Sequence, residues 1–254
     1  MGTKTRNGYP IPEDKNPHGL PEDLIFPWDQ AATLVTVAEK VGNTAVRAQV
    51  DLIRKMLGNP GAVSTVLGAW QTAQSELTQS IDGSNDGTGL QTAKENLGAR
   101  WNGSAREAAV SYVDRLITAT HGEQKSIGEI ATSINNFSAF VSNNYGTAIA
   151  HISNYAAIVA DLAGGLIEEI REAIGMDGGS VETKIIQALA EFMRETGEVL
   201  KDVRTYRTQI EGEVDQIKIR AAEVTVPPAI APAALDTNGW QPRNPTGTGW
   251  GRPS

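Results

Sequence analysis

The stretch that decides the fold is residues 98–116, GARWNGSAREAAVSYVDRL, where a tryptophan and two glycines separate two helix-like segments. Gly98 follows the apolar Leu97, and glycine is common just after the end of a helix. Ser104 and Glu107 have the spacing of a capping box, in which each side chain bonds the other residue's backbone amide. The sequence therefore predicts that one helix ends near Leu97 and another begins near Ser104.

The residues between these two helices can form a tight reversal, because a short loop is enough to join two antiparallel helices. Trp101 lies in the predicted bend, where its ring can cover the ends of both helices. Gly103 can adopt the positive φ that other residues avoid. We therefore expect a helical hairpin with Trp101 and Gly103 in its turn.

Apolar residues recur at three- and four-residue spacing along most of the chain, which predicts helices and no strand. In the two longest predicted helices, these apolar residues form a continuous stripe along one side. Such a stripe suits packing against a partner helix that lies nearly antiparallel. A kink is expected in the longer one at Gly146 or at Gly164 and Gly165. The predicted helices cover 29–57, 60–81, 90–97, 104 to as far as 174, and 180–224.

The predicted fold class is all-α, an elongated antiparallel helical bundle built from long hairpins. The bundle covers 29–225, with the hairpin at about 59–160 and a long C-terminal helix at 180–225. Residues 1–28 are predicted to be an extended Pro-rich arm. Residues 226–254 are rich in proline and glycine and are predicted to be a disordered tail.

Composition narrows the possible functions. A formal net charge of -8 makes nucleic acid an unfavourable partner. The absence of cysteine excludes disulfides, thiolate metal sites and cysteine catalysis. The N-terminus has no apolar core typical of a cleavable signal peptide. The most apolar run, 155–167, contains Asp161 and is too short to span a bilayer.

Three patterns resemble catalytic or metal sites, and each has a simpler interpretation. Residues 82–87, DGSNDG, open like a calcium loop, but Ala93 stands where that loop needs a glutamate. The three histidines are scattered, and the carboxylates within 168–182 are typical of a solvated acidic tip. We therefore expect no enzyme activity, no cofactor and no metal.

Two tryptophans in the predicted tail, Trp240 and Trp250, each follow a glycine. Tryptophan is enriched at binding hot spots, so both are candidates for short docking anchors. A tail without a binding role fits the same residues equally well.

The segment Trp101-Asn102-Gly103 between two predicted helices resembles the W-x-G turn of the type VII (ESX) secretion substrates, which include the PPE proteins. The Ala-rich segment SAREAAVSYVDRL after Gly103 is similar to the start of the family's second helix. Upstream, NPGAVSTVLGAWQTAQSELTQSI, beginning at Asn59, resembles its first helix. The resemblance covers roughly residues 59–160.

The resemblance implies export through a type VII system in a folded, helical state, with Trp101 and Gly103 in the recognition turn. It implies a secreted or cell-surface location and an actinobacterial or related source. The implied partners are the secretion machinery and either a second copy or another helical secretion substrate.

Many members of this family, or their partners, carry Tyr-x-x-x-Asp/Glu just after the hairpin. Only Tyr9 and Glu13 match that spacing here, ahead of the first predicted helix, and we interpret the match as coincidental. Either a partner supplies this half of the signal or the substrate is atypical.

Two other functions remain open at the level of the sequence. A helical pore-forming or membrane-active protein fits the mildly apolar segment 145–170, although Asp161 and His151 are costly in a bilayer. An intracellular coiled-coil adaptor or chaperone fits the long helical seams.

Overall fold

The computed structural model of the chain describes residues 3–6, 8–83, 88–164 and 180–230, and they form an all-α fold, as predicted. A two-stranded ribbon and one 3-10 turn at Glu22–Leu24 precede the α-helices. The strands are β1 (Thr3–Arg6) and β2 (Tyr9–Pro12), and the α-helices are α1 (Trp28–Lys40), α2 (Ala45–Met56), α3 (Pro60–Asp82), α4 (Leu90–Arg100), α5 (Ser104–Leu162) and α6 (Ser180–Ala222).

The chain divides into two compact units by its internal contacts. The first unit comprises Met1–Ser64 and Asn135–Glu211, and the second comprises Thr65–Ile134 and Gly212–Ser254. The three longest helices therefore each contribute residues to both units.

The core of the first unit is formed by apolar side chains of α1, α2, α5 and α6. Seven of the 13 residues of α1 are buried, because small and β-branched residues fill most of its circumference. Phe192 of α6 is fully inaccessible and packs edge-on against Tyr155 of α5, with ring centroids 5.9 Å apart. Phe140 and Tyr206 meet further along the same helices, which shows that α5 and α6 run antiparallel within this unit.

The prediction that the chain contains no strand is wrong. Strands β1 and β2 pair antiparallel, with Arg6 opposite Tyr9. Tyr9 and Ile11 are buried in the first unit's core while Pro10 between them is exposed. This period of two is the strand signal, but it extends over only four residues. The predicted extended arm over 1–28 therefore includes a paired hairpin that packs into the core.

The predicted continuous helix over 29–57 is also wrong, because the structure breaks it between α1 and α2. Gly42 has a φ of 79°, and its amide donates to the Glu39 carbonyl at 3.1 Å. The Asn43 amide donates to the Ala38 carbonyl at 2.8 Å. These two bonds form a Schellman motif, which ends a helix and satisfies its last carbonyl groups.

Two of the longer predicted helices agree closely with the structure, whereas the longest ends before its predicted limit. Helix α5 is continuous through Gly146 and ends at Leu162, followed by a turn with Gly164 at a φ of 70°, one of the predicted kink positions. The remainder of the predicted helix, from 165 to 174, falls on residues outside the described part. Helix α6 ends at Ala222, close to the predicted end.

The second unit packs α3 and α4 on the first half of α5, and the end of α6 on another face. Ile81 of α3 is buried with Val113 and Ile117 of α5. Val224, just after α6, lies so close to Gly122 that an added Cβ there would be 2.8 Å from its Cγ2. No helix in the described residues carries an apolar stretch long enough to cross a membrane.

Two buried tyrosines of the first unit predict a loss of stability in alkali. Burial raises the pKa of Tyr145 to about 12, and burial and then the negative charge of Asp51 raise the pKa of Tyr9 to about 12. An unfolded tyrosine ionises at about pH 10, so from there to about pH 12 the unfolded chain loses protons that the folded chain keeps. The free energy of unfolding should therefore fall across this window, by up to about 2 kcal/mol per tyrosine.

Urea unfolding at a series of alkaline pH values measures this effect, with the Tyr145→Phe variant beside the unchanged protein. The variant should lose less stability across the same window, because the shifted phenol of Tyr145 is absent. Equal losses in the two proteins would show that Tyr145 ionises normally in the folded state.

Candidate functional site at the Trp101 turn

Helices α4 and α5 meet at a three-residue turn formed by Trp101, Asn102 and Gly103. Trp101 closes α4: its amide donates to the Leu97 carbonyl at 3.2 Å, and its own backbone is extended. Gly103 has a φ of 78°, a value that an L-residue rarely adopts. The reversal that the sequence predicted is therefore made by these three residues.

The start of α5 lies one residue earlier than the predicted capping box implies. The Glu107 amide donates to the Gly103 carbonyl at 3.3 Å, so Gly103, not Ser104, occupies the N-cap position. Ser104 is instead the first helical residue. The earlier helix also runs further than predicted and includes Gly98, which we had expected just past its end.

The hairpin is held mainly by apolar packing in the second unit. Leu90 and Leu97 of α4 pack on the cluster formed by Ile81, Val113 and Ile117. An ion pair also joins Lys94 Nζ to Asp114 Oδ1 at 2.6 Å. Both of its side chains are substantially exposed, so this pair contributes little beside the buried aliphatic groups.

The turn presents an accessible surface with one half-buried aromatic ring. Trp101 is partly buried, while Asn102, Gly103, Ser104 and Glu107 are exposed. A rigid tryptophan beside exposed polar groups has the character of a protein-binding anchor.

Basic groups flank this surface. Arg100 ends α4 and is exposed, and Arg106 lies on the first turn of α5. The Arg106 guanidinium lies beside α4, since a Cβ added at Gly98 would be 3.6 Å from its Nη2. Glu107 on the same turn of α5 offsets one of these charges, so the turn has a small positive charge on a chain whose net charge is -8.

The other candidates from the sequence are not assembled into sites by the described residues. Four residues of the calcium-like loop, 84–87, lie outside the described part, as do Trp240, Trp250 and most of the acidic segment at 168–182. Ala93, at the loop's twelfth position, is within α4. No group of three metal-ligating side chains occurs within the part of the chain that the structure describes.

A cavity of about 610 Å³ lies where α3 ends and α4 begins. Among the described residues that line it, Glu76 is a carboxylate and none is a histidine or cysteine. The lining residues are Glu76, Gln79, Ser80, Thr88, Gly89 and Leu90.

The structure also brings together a polar cluster that the sequence did not predict. The Tyr155 hydroxyl donates to Glu195 Oε2 at 3.0 Å, and His151 Nδ1 lies 3.0 Å from the same oxygen. Arg194 Nη2 approaches the other oxygen, Oε1, at 3.3 Å. Burial, followed by the Glu195 hydrogen bond, raises the pKa of Tyr155 to about 12.

This cluster acts as a polar clamp between α5 and α6. Both oxygens of Glu195 are engaged by neighbouring side chains, which leaves its carboxylate poorly placed to serve as a general base. Sequence spacing could not reveal the cluster, because Tyr155 and Glu195 are 40 residues apart and meet only when the two helices pair.

Comparison with known proteins finds no matching family model, no similar curated protein and no similar solved structure.

Two glycines that flank Trp101 should respond oppositely to alanine. Gly103→Ala places a side chain at positive φ and should lower the free energy of unfolding by about 1–2 kcal/mol. Gly98→Ala lies inside α4, where the new methyl group has only ordinary contacts, and should raise it by about 1 kcal/mol.

Chemical denaturation of both variants tests this assignment. Because the two changes add the same methyl group to the same hairpin, each is the control for the other. Equal effects of the two substitutions would contradict the turn geometry described above.

Proposed function

We propose that this chain is a non-enzymatic helical protein exported by a type VII (ESX) secretion system, with the Trp101 turn as part of the recognition signal. The observation that carries the proposal is the turn itself. A W-x-G tripeptide joins two antiparallel helices, its glycine has positive φ, and its tryptophan borders an exposed surface. The resemblance of residues 59–160 to the secretion-substrate family gives this geometry its functional meaning.

The exposure of the turn residues favours recognition over a purely structural role. A tryptophan needed only for packing would be expected in the core, whereas the nearest buried cluster is built from aliphatic residues. Three exposed residues, Asn102, Gly103 and Ser104, follow Trp101 directly. A binding partner can therefore reach the ring and the adjoining backbone together.

Helix α3 supports the proposal that the exported form associates with a second helical chain. Ile81 is the only buried residue among its 23 residues. Val66 is 48% exposed, and Leu67 and Trp70 are only partly covered. An apolar helix face of this kind is stabilised when a partner helix covers it. The partner is either a second copy or another helical secretion substrate.

Export is tested by expressing the tagged chain in a strain with a type VII system and in the same strain lacking the secretion ATPase. We expect the chain in the culture filtrate only when the ATPase is present. Trp101→Ala should reduce the exported amount by roughly 30-fold, the effect of removing a hot-spot side chain worth about 2 kcal/mol.

Trp28→Ala is the matched control, because it removes a partly buried tryptophan from the first unit, away from both the turn and the exposed face of α3. It should be exported at near the unchanged level, and circular dichroism must show that both variants fold. Retention of the chain in cells of every strain would reject the proposal and favour an intracellular coiled-coil adaptor.

A further inference from the structure

The Asn102–Gly103 peptide combines the features that make an asparagine chemically unstable. Asn102 is exposed and lies outside both helices. Within the described part of the chain, neither its side-chain amide nor the Gly103 N–H makes a hydrogen bond. Apart from its chain neighbours Asn102 and Ser104, no residue has an atom within 4 Å of where a Cβ at Gly103 would be. No other part of the fold therefore crowds the Asn102–Gly103 peptide at this position.

We infer that Asn102 is a site of spontaneous deamidation, which converts the turn to a mixture of aspartate and isoaspartate. The Gly103 nitrogen gives its proton to water or hydroxide and attacks Asn102 Cγ. The new N–Cγ bond closes a five-membered succinimide, and the Cγ–Nδ2 bond breaks and releases ammonia. Water then adds to either ring carbonyl and opens the ring. Addition at Cγ breaks the N–Cγ bond and leaves aspartate, whereas addition at the main-chain carbonyl breaks its bond to nitrogen and leaves isoaspartate, with an α-carboxyl group and Gly103 joined through Cγ.

The electrostatics of the turn favour this reaction. The attacking nitrogen and the tetrahedral intermediate are both negatively charged, and they form at the positive end of the α5 dipole. Arg100 and Arg106 add two positive charges near the turn, and the exposed carboxylate of Glu107 on the first turn of α5 offsets one of them. The carboxylate of the product is also favoured there, because anions are stabilised near the N-terminus of a helix.

An asparagine within α5, Asn136, is expected to be protected from deamidation and serves as an internal control. Asn136 is also exposed, but it precedes Phe137 in the middle of the helix. The amide of Phe137 is engaged in the helix, and its side chain hinders attack on the neighbouring residue. Asn136 should therefore remain intact under conditions that convert Asn102.

The two products alter the turn differently. Aspartate changes only the charge at position 102. Isoaspartate reroutes the main chain through the side chain and adds a methylene group between Trp101 and Gly103. The isoaspartate form should therefore displace Gly103 from the N-cap position of α5. This chemistry does not depend on the proposed export of the chain.

The test is peptide mapping of the folded full chain after incubation at neutral and mildly alkaline pH. Trypsin cleavage after Arg100 and Arg106 releases the peptide WNGSAR, in which mass spectrometry distinguishes the amide from the acid. A synthetic peptide of residues 98–107 provides the rate of Asn102 deamidation in the absence of any folded structure. A freshly purified sample, digested in the same way, corrects for conversion during digestion.

We expect Asn102 in the folded chain to convert within about threefold of the rate in the free peptide, because an unprotected loop needs almost no opening free energy. The rate should rise with pH, and Asn136 should not convert detectably. Gly103→Ala should slow the conversion, and Asn102→Gln should leave this peptide unchanged. A rate in the folded chain more than about tenfold below that of the free peptide would overturn the inference, since it would show that the turn protects Asn102.

The isoaspartate fraction can be separated from the incubated protein and compared with the Asn102→Asp variant. The fraction compared is one in which the peptide map shows Asn7 and Asn238, each also followed by glycine, still as amides. Both proteins then carry the same added charge, so a lower denaturant midpoint in the isoaspartate fraction alone would report the added methylene group. Equal midpoints would contradict the predicted displacement of Gly103 from the N-cap position.

Discussion

The contact between Phe192 of α6 and Tyr155 of α5 sets the register of the first unit. Phe192 is fully inaccessible, and burial of such a ring is worth about 2–3 kcal/mol. Once this pair is in place, antiparallel helices bring Tyr206 to Phe140 and Glu195 to His151. The polar bonds in the clamp therefore follow from the aromatic packing, since partly exposed ion pairs rarely contribute as much as 1 kcal/mol each.

The long helices could be predicted because their apolar residues repeat over many turns. Helices α3, α5 and α6 have this property, and their ends agree closely with the sequence pattern except at the C-terminus of α5, which ends at Leu162 because the backbone turns at Gly164. The break between α1 and α2 could not be found in this way, because the apolar spacing continues across Gly42. Strand β2 has only four residues, too few for its alternation to stand out from the surrounding prolines.

The turn at Trp101 could be predicted because its signals are local. A tryptophan and a glycine between two helical patterns place the reversal to within a few residues. The predicted N-cap of α5, Ser104, is one residue too late. Gly103 and Ser104 are both suitable N-cap residues, and only the backbone dihedrals distinguish them. The clamp around Glu195 could not be predicted from the sequence, because its residues are distant in sequence and meet only when α5 and α6 pair. The roles of Trp240 and Trp250 stay predictions.

Helix α3 differs from α1 in how its stability is supplied. Seven residues of α1 are buried, whereas α3 has Ile81 near its C-terminus as its single buried residue. A helix with so few buried residues has a low free energy of local opening, so it can open without global unfolding. Its central backbone amides should then exchange with solvent deuterium well before those of α1, so that α3 forms a separate cooperative unit whose order depends on what covers its apolar face.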